Sequence, residues 1–310
     1  MTPLLQALLF PGQGSQKVTM GAALARDFPE AAAVFREADD ILPFPLSRLM
    51  WEGPEEKLVL TRNAQPALFV HSMAVLRVVR SRIGPVAMAA GHSLGEFSAH
   101  VAAGTLSFPD ALEAVRLRGE LMNHAGRIRP GAMAAVLGMD DEAVESLCSE
   151  ISTGNDGVVV PANFNSPGQV VISGDVAAVA AATAVAPDRG ARKVVPLAVS
   201  GAFHSPLMAP AEDGLSAHLA NVTFVDPNFP VYSNVTAEAV TTGDEARKLL
   251  VRQLTSPVRW SSVISNMVQA GVTRFIELGP GNVLAGLNRR NARGIDTISL
   301  GEPDDLSTLD

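Results

Sequence analysis

A serine between two glycines is the residue of this chain best suited to covalent chemistry. Residues 91–96 read Gly-His-Ser-Leu-Gly-Glu, after an apolar stretch at 85–90 and before a helical pattern at 97–103. A strand that turns sharply into a helix strains its corner residue, and Gly91 and Gly95 let neighbouring backbone pass close to it. The Ser93 hydroxyl would then stand beside the N–H groups of the first helical turn. The pattern predicts an acyl-transfer nucleophile, with a turn of no chemical role as the alternative.

A serine nucleophile needs a base, and the chain has six histidines. The side chain of His92 leaves the turn in a different direction from its neighbour. Four others fall on helical patterns: His71, His100, His124 and His218. His204 instead lies in a loop of small residues and a proline at 200–206, the kind of loop that favours function. We therefore predict His204 as the base. No aspartate is clearly placed to orient it, so a backbone carbonyl could hold its tautomer.

The oxyanion of a tetrahedral intermediate needs preorganised N–H donors. The Leu94 amide directly follows the nucleophile. The loop at 11–16, Pro-Gly-Gln-Gly-Ser-Gln, ends the first predicted strand and could supply the Gln13 amide. A phosphate-binding loop is disfavoured, because Lys17 replaces the third glycine of a dinucleotide fingerprint and no Gly-Lys-Ser/Thr follows. We predict Gln13 and Leu94 as the donors.

These residues need a sheet to position them. Short apolar runs predict strands at 5–10, 86–90, 229–233 and 273–278. Helical patterns lie between them, the clearest at 65–79 with Pro66 in its first turn, and others near 109–125, 243–254 and 257–270. This order is typical of a parallel sheet covered by helices. The polar, acidic residues 302–310 are predicted to form a loose tail.

Residues 131–200 follow a different pattern. Strands are predicted at 132–138, 158–162, 169–173 and 193–199, with helices at 140–151 and 175–185. The order β-α-β-β-α-β is that of a ferredoxin-like unit. We therefore predict an α/β fold in which a hydrolase-like large subdomain with a parallel sheet, residues 1–127 and 198–310, holds an inserted ferredoxin-like subdomain, residues 128–197.

Composition narrows the class of protein. The chain has 310 residues and a net charge of −8, and it lacks a dense basic stripe, which argues against nucleic-acid binding. The single cysteine, Cys148, excludes an internal disulfide and fits a reducing cytosol. No segment reaches the length of a membrane-spanning helix. We expect a cytoplasmic protein. Small basic groups at 192–193 and 289–293 are either solvated faces or docking sites for an acidic partner.

Four motifs resemble those of malonyl-CoA:acyl-carrier-protein transacylases, the loading enzymes of bacterial fatty acid synthesis, and follow one another in the same order as in that family. They lie at 12–16, 91–96, 201–205 and 277–281, and the resemblance runs from about residue 6 to residue 293. It implies that a malonyl group passes from malonyl-CoA to Ser93 and then to the phosphopantetheine thiol of an acyl carrier protein. No metal or bound cofactor is implied, and malonyl-CoA is the substrate. His204 would be the base, and Gln13 and Leu94 the oxyanion donors.

The resemblance assigns three further residues. Arg118 would hold the malonyl carboxylate, which a planar guanidinium matches with two hydrogen bonds. From spacing alone Arg118 is better interpreted as a solvated helix residue, like Arg116. Gln253 would lie beside His204, whose imidazole a backbone carbonyl orients in this family. Phe203 would select malonyl over methylmalonyl by filling the room of an α-methyl group, although it could equally be a core aromatic.

Three other functions share part of this pattern. A serine thioesterase has the same strand-to-helix turn but hands the acyl group to water. A trans-acting acyltransferase of a polyketide assembly line has nearly the same motifs. A carrier-binding protein with an inactive serine is disfavoured, because Ser93 and His204 are both present.

Overall fold

A computed structural model describes residues 5–154, 157–306 and 309. The strands are β1 (Gln6–Phe10), β2 (Val86–Gly91), β3 (Gly131–Leu137), β4 (Val159–Ser166), β5 (Gln169–Asp175), β6 (Lys193–Pro196), β7 (Val231–Tyr232), β8 (Ala239–Val240), β9 (Arg274–Leu278) and β10 (Asp296–Leu300). The helices are α1 (Ala22–Asp27), α2 (Pro29–Ile41), α3 (Leu46–Glu52), α4 (Glu55–Leu58), α5 (Thr61–Val79), α6 (Gly95–Ala102), α7 (Phe108–Ile128), α8 (Asp141–Gly154), α9 (Val176–Val185), α10 (Ala209–Leu219), α11 (Gly243–Arg252), α12 (Trp260–Gln269), α13 (Val283–Asn291) and α14 (Pro303–Leu306).

The larger sheet has six strands in the order β10-β9-β1-β2-β7-β8. Every pairing in it is parallel except that of β7 with β8. Strand β1 lies near the centre and is buried along its whole length. Because neighbouring parallel strands end at the same edge, the segments after β1, β2 and β7 meet there. The predicted parallel sheet covered by helices is confirmed.

The smaller sheet has four antiparallel strands in the order β4-β5-β3-β6. Helices α8 and α9 pack on it around their own apolar core, which includes Val136, Leu147, Ile172 and Val179. The predicted β-α-β-β-α-β unit is therefore present within an α/β fold. The division of the chain at 127/128 and 197/198 remains our proposal.

Helix α5 begins earlier than predicted, at Thr61, so that Pro66 lies inside it. Proline has no N–H to donate to the carbonyl four residues before it. That carbonyl, of Arg62, instead accepts a hydrogen bond of 2.7 Å from Nη1 of Arg116. The Arg116 side chain is only 17% exposed, so the interpretation of Arg116 as a solvated residue is wrong.

The end of the chain is more ordered than predicted. Strand β10 pairs in parallel with β9 at the sheet edge, and the sequence pattern did not indicate it. Within the segment predicted as a loose tail, α14 is helical and Leu306 is buried in the main core. Asp305 accepts hydrogen bonds of 2.9 Å from the amides of Gly301 and Glu302, which fix the turn into α14. The run at 296–300, Asp-Thr-Ile-Ser-Leu, has only two apolar residues, so its pattern does not indicate a strand.

No helix in the described part of the chain is long and apolar enough to cross a membrane.

Two buried histidines make the stability of the fold depend on pH. His71 and His100 are fully buried, and none of their ring nitrogens has a hydrogen-bond partner among the described residues. Burial lowers the pKa of each to about 3. Both stay neutral in the folded protein, whereas the unfolded chain takes up protons near the ordinary histidine pKa of about 6.5. The free energy of unfolding should therefore fall as the pH drops from about 6.5 towards 3.

Replacing His100 with leucine should remove part of this dependence. Between pH 6 and 5, the unfolding free energy of His100→Leu should change less steeply with pH than that of the wild-type protein. The difference should reach at most one bound proton, or about 1.4 kcal/mol per pH unit. Urea unfolding at several pH values measures the slope. His124→Leu, at an exposed position on α7, is the matched control and should leave it unchanged. Equal slopes in the wild-type and His100→Leu proteins would show that His100 is not held neutral.

Candidate active site

Ser93 lies at the turn between β2 and α6, in the left-handed region with φ +50°. A Cβ atom on Gly91 would overlap the backbone of Gly95, and one on Gly95 would overlap the carbonyl oxygen of Phe10. Both positions therefore require glycine. The predicted strand-to-helix turn is present, with Ser93 partly exposed at its corner.

His204 lies against the serine. Its Nε2 is 2.7 Å from Ser93 Oγ, while its Nδ1 faces the carbonyl oxygens of Gln253 at 2.9 Å and Ser256 at 3.2 Å. Since two acceptors face Nδ1, that nitrogen carries the proton and Nε2 accepts from the serine hydroxyl. Burial, followed by the charge of Arg118, lowers the pKa of His204 to about 3. The imidazole is thus neutral at ordinary pH, and its Nε2 is free to accept the serine proton.

Arg118, on α7, is fully buried beside the nucleophile. Its Nη1 donates to Gln65 Oε1 at 2.7 Å, and its Nη2 donates to Gln253 Oε1 at 2.8 Å and to Ser93 Oγ at 3.1 Å. Burial lowers its pKa to about 10, which still leaves it charged at neutral pH. The structure excludes the solvated-helix interpretation and places a positive charge beside the serine.

The loop after β1 packs directly on this turn. The His92 amide donates to Phe10 O at 2.9 Å, and a Cβ atom on Gly12 would lie 2.7 Å from His92 O. Within the described chain, the backbone amides of Gln13 and Leu94 donate no hydrogen bond. The Gln13 side chain points its Nε2 to Thr61 Oγ1 at 3.4 Å. The two amides therefore stay our predicted oxyanion donors.

Gln253 and Phe203 lie next to the pair. Gln253 directly follows α11 and is fully buried, and its Nε2 donates to Ser93 O at 3.0 Å. Phe203 is buried in the main hydrophobic core. Its selection against methylmalonyl stays a prediction.

Sequence reasoning missed Asn234, the second residue after β7. Its Oδ1 accepts from the Ser93 amide at 2.6 Å and its Nδ2 donates to Gly91 O at 2.7 Å. Its own amide donates to Glu96 Oε2 at 3.1 Å. Its position after a predicted strand could have pointed to Asn234. That inference also requires knowing that β7 lies next to β2 in the sheet.

The smaller sheet is joined to the active-site turn. His92 Nε2 lies 2.8 Å from Asn165 Oδ1 on β4, and Asn291 Nδ2 donates to Asn165 O at 2.8 Å. Nearby, Arg290 reaches Ser166 Oγ at 3.3 Å. The predicted basic groups are exposed at Arg192, Lys193, Arg289, Arg290 and Arg293. Their use for docking stays a prediction.

Across the described residues, no group of three or more His, Cys, Asp or Glu side chains is arranged to hold a metal ion.

Comparisons with known proteins agree on one family. A family model described as an acyl transferase domain matches residues 7–299. The "Malonyl CoA-acyl carrier protein transacylase" of Bacillus subtilis is 46% identical over 300 residues, covering 97% of this chain and 94% of the relative. That of Escherichia coli K12 is 45% identical over 298 residues, covering 96% of each.

Solved structures give the same result. A malonyl-CoA:acyl carrier protein transacylase from Xanthomonas oryzae superposes with a TM-score of 0.94 at 44% identity, covering 99% of this chain and 98% of the other. A malonyl-transacylase solved in complex with a type II polyketide acyl-carrier protein superposes with a TM-score of 0.94 at 41% identity, covering 98% of each.

Proposed function

This chain belongs to the acyl transferase family, and on that premise we propose that it transfers a malonyl group from malonyl-CoA to the phosphopantetheine thiol of an acyl carrier protein. Its similarity to named malonyl transacylases along nearly the whole chain supports this activity. The acyl carrier protein is the proposed partner, because a structural relative is solved in complex with one.

The observation that supports malonyl as the acyl group is the buried guanidinium beside Ser93. A guanidinium has five N–H donors. Arg118 makes three hydrogen bonds, one of them from Nη2 to Ser93 Oγ. Acylation of that oxygen frees this N–H of Nη2. One donor on each terminal nitrogen is then free, which suits a carboxylate bound through both oxygens. An acyl group without a carboxylate would leave these two buried donors without partners.

The reaction proceeds in two half-reactions. Ser93 Oγ attacks the thioester carbonyl of malonyl-CoA while its proton passes to Nε2 of His204. The amides of Gln13 and Leu94 stabilise the oxyanion. The C–S bond then breaks, and His204 returns the proton to the departing CoA sulfur. In the second half-reaction the carrier thiol gives its proton to His204 and attacks the malonyl ester, and the proton returns to Ser93.

Intact-mass measurement tests this proposal. Incubation with malonyl-CoA should add one malonyl group to the wild-type protein and none to Ser93→Ala. Holo acyl carrier protein should then remove the group and gain it. A wild-type protein that gains no malonyl group, or a Ser93→Ala protein that gains one, contradicts the proposal.

A thioesterase would release CoA differently. The transacylase should release about one equivalent of CoA per protein without an acceptor, and release should become continuous when carrier protein is added. Continuous release without carrier protein would identify water as the acceptor.

The structural relative that is bound to a polyketide carrier keeps a second candidate open. A trans-acting acyltransferase of a polyketide assembly line would use the same site. Comparing kcat/KM for a fatty acid carrier and a polyketide carrier from the source organism would choose between them.

We also propose a cytoplasmic location, because the single cysteine fits a reducing compartment.

A further inference from the structure

Glu96 is a buried carboxylate for which the mechanism above has no role. It lies in the first turn of α6, three residues after the nucleophile, and is fully buried. Its Oε2 accepts from Gln253 Nε2 at 2.6 Å and from the Asn234 amide at 3.1 Å. Its Oε1 has no hydrogen-bond partner among the described residues. A buried carboxylate is costly, so its place beside the site calls for a role.

The side-chain amide of Gln253 lies between two opposite charges. Its Nε2 faces Glu96, and its Oε1 accepts from Arg118 at 2.8 Å. A flipped amide would point N–H groups at the guanidinium and oxygen at the carboxylate, so both contacts would become repulsive. The negative charge of Glu96 favours the one amide orientation that holds Arg118, and Ser93 O, which accepts from the same Nε2 at 3.0 Å, supports it.

The same arrangement keeps Arg118 available. A carboxylate paired directly with the guanidinium would occupy the donors that a substrate carboxylate needs. With Gln253 between them, Glu96 balances the buried charge while Arg118 keeps its hydrogen bond of 3.1 Å to Ser93 Oγ. Burial, as the largest influence, raises the pKa of Glu96 to about 7, and Gln253, Asn234, Ser233 and Arg118 oppose that rise, so Glu96 carries its full charge only above neutral pH.

We propose that Glu96 is a positioning residue for carboxylate-bearing acyl groups: acting through Gln253, it holds Arg118 where the malonyl carboxylate binds. This inference rests on the proposed function, because Arg118 matters in this way only if the acyl group is charged. Glu96 itself touches neither substrate nor the reacting atoms.

The test compares malonyl-CoA with acetyl-CoA as acyl donors to Ser93. In Glu96→Gln, the charge that favours this orientation is removed, and only Ser93 O and Arg118 still hold Gln253 in it. The comparison is made above neutral pH, where Glu96 of the wild-type protein is charged. We expect the ratio of kcat/KM for malonyl-CoA to that for acetyl-CoA to fall at least tenfold, mainly through a higher KM for malonyl-CoA. Acylation by acetyl-CoA should change less than threefold.

Glu277→Gln is the matched control. Glu277 is also fully buried, but it accepts from the amides of Leu284 and Ala285 and from Ser299, away from Ser93. This variant should lose stability without changing the malonyl-to-acetyl ratio.

A second variant covers the case in which Glu96→Gln does not fold. Gln253→Ala keeps the backbone carbonyl that faces His204 and should lower the ratio to a similar extent. The double variant should lower it no further, because both changes break one connection.

The outcomes separate the two proposals. A wild-type protein that transfers no malonyl group overturns the proposed function itself. If the wild-type protein transfers malonyl, three results overturn the role of Glu96 alone: an unchanged ratio in folded Glu96→Gln, equal losses with both donors, or an unchanged ratio in Gln253→Ala.

Discussion

Replacing Arg118 with alanine should lower kcat/KM for malonyl-CoA by about 10²–10³-fold, or about 3–4 kcal/mol, which lies within the range lost when one partner of a buried charge pair is removed. The malonyl carboxylate would enter a buried site without its cation. Acetyl-CoA carries no such charge, so acylation of Ser93 by acetyl-CoA should stay within about tenfold of wild type. Arg118→Ala should therefore lose its preference for malonyl-CoA over acetyl-CoA, while Ser93 stays reactive.

Steady-state transfer and intact-mass measurement of the acylated protein give both quantities. Arg118→Lys is the informative companion, because an ammonium keeps the charge but cannot bind a carboxylate with two parallel hydrogen bonds. We expect Arg118→Lys to lie between wild type and alanine. Equal losses with malonyl-CoA and acetyl-CoA would show that Arg118 supports the fold of the site rather than recognising the carboxylate.

Replacing His204 with alanine should slow acylation of Ser93 by about 10³-fold, within the range usual for loss of a general base. Its Nε2 lies 2.7 Å from Ser93 Oγ, and two backbone carbonyls hold its Nδ1–H. A serine hydroxyl without this base is a weak nucleophile. The loss should appear equally with malonyl-CoA and acetyl-CoA, in contrast to Arg118→Ala.

The pH dependence of wild-type acylation checks the same residue. The base must be neutral, and the pKa of His204 is lowered to about 3. With acetyl-CoA, whose acylation does not depend on the charge of Glu96, the rate should therefore not fall near pH 6.5, where an ordinary histidine takes up a proton, but should persist to lower pH as long as the protein stays folded. Rapid mixing at several pH values measures the rate. His124→Ala, on the exposed face of α7, is the control and should match wild type. A rate that halves near pH 6.5, or a His204→Ala protein of wild-type rate, would rule out this assignment.

The sequence alone was sufficient for features encoded by neighbouring residues. The turn at Ser93 was predictable because its glycines and flanking patterns lie within a few residues of one another. The smaller sheet was predictable because its strands and helices alternate regularly along one segment. His204 was predicted as the base by excluding histidines on helical patterns, and the Gln13 loop was predicted to supply an oxyanion donor from its position after the first strand.

Long-range contacts were decided only by the tertiary structure. The start of α5 was misplaced because the carbonyl that Pro66 leaves free is bound by Arg116 from another helix. From spacing, Arg118 resembled a surface residue, yet packing buries it completely. Strand β10 was missed because only two of its five residues are apolar, so that its pairing with β9, and not its pattern, defines it.

The hydrogen bonds around Ser93 show most clearly what the sequence alone could not predict. Asn234 reaches the Ser93 amide, and Gln253 links Glu96 to Arg118, from positions more than 130 residues away from the nucleophile along the chain. Local residue types determined that Ser93 sits at a strained corner between a strand and a helix. The strand order and helix packing decided which polar groups share its buried space, because hydrogen bonds between distant segments depend on three-dimensional proximity that no local pattern encodes.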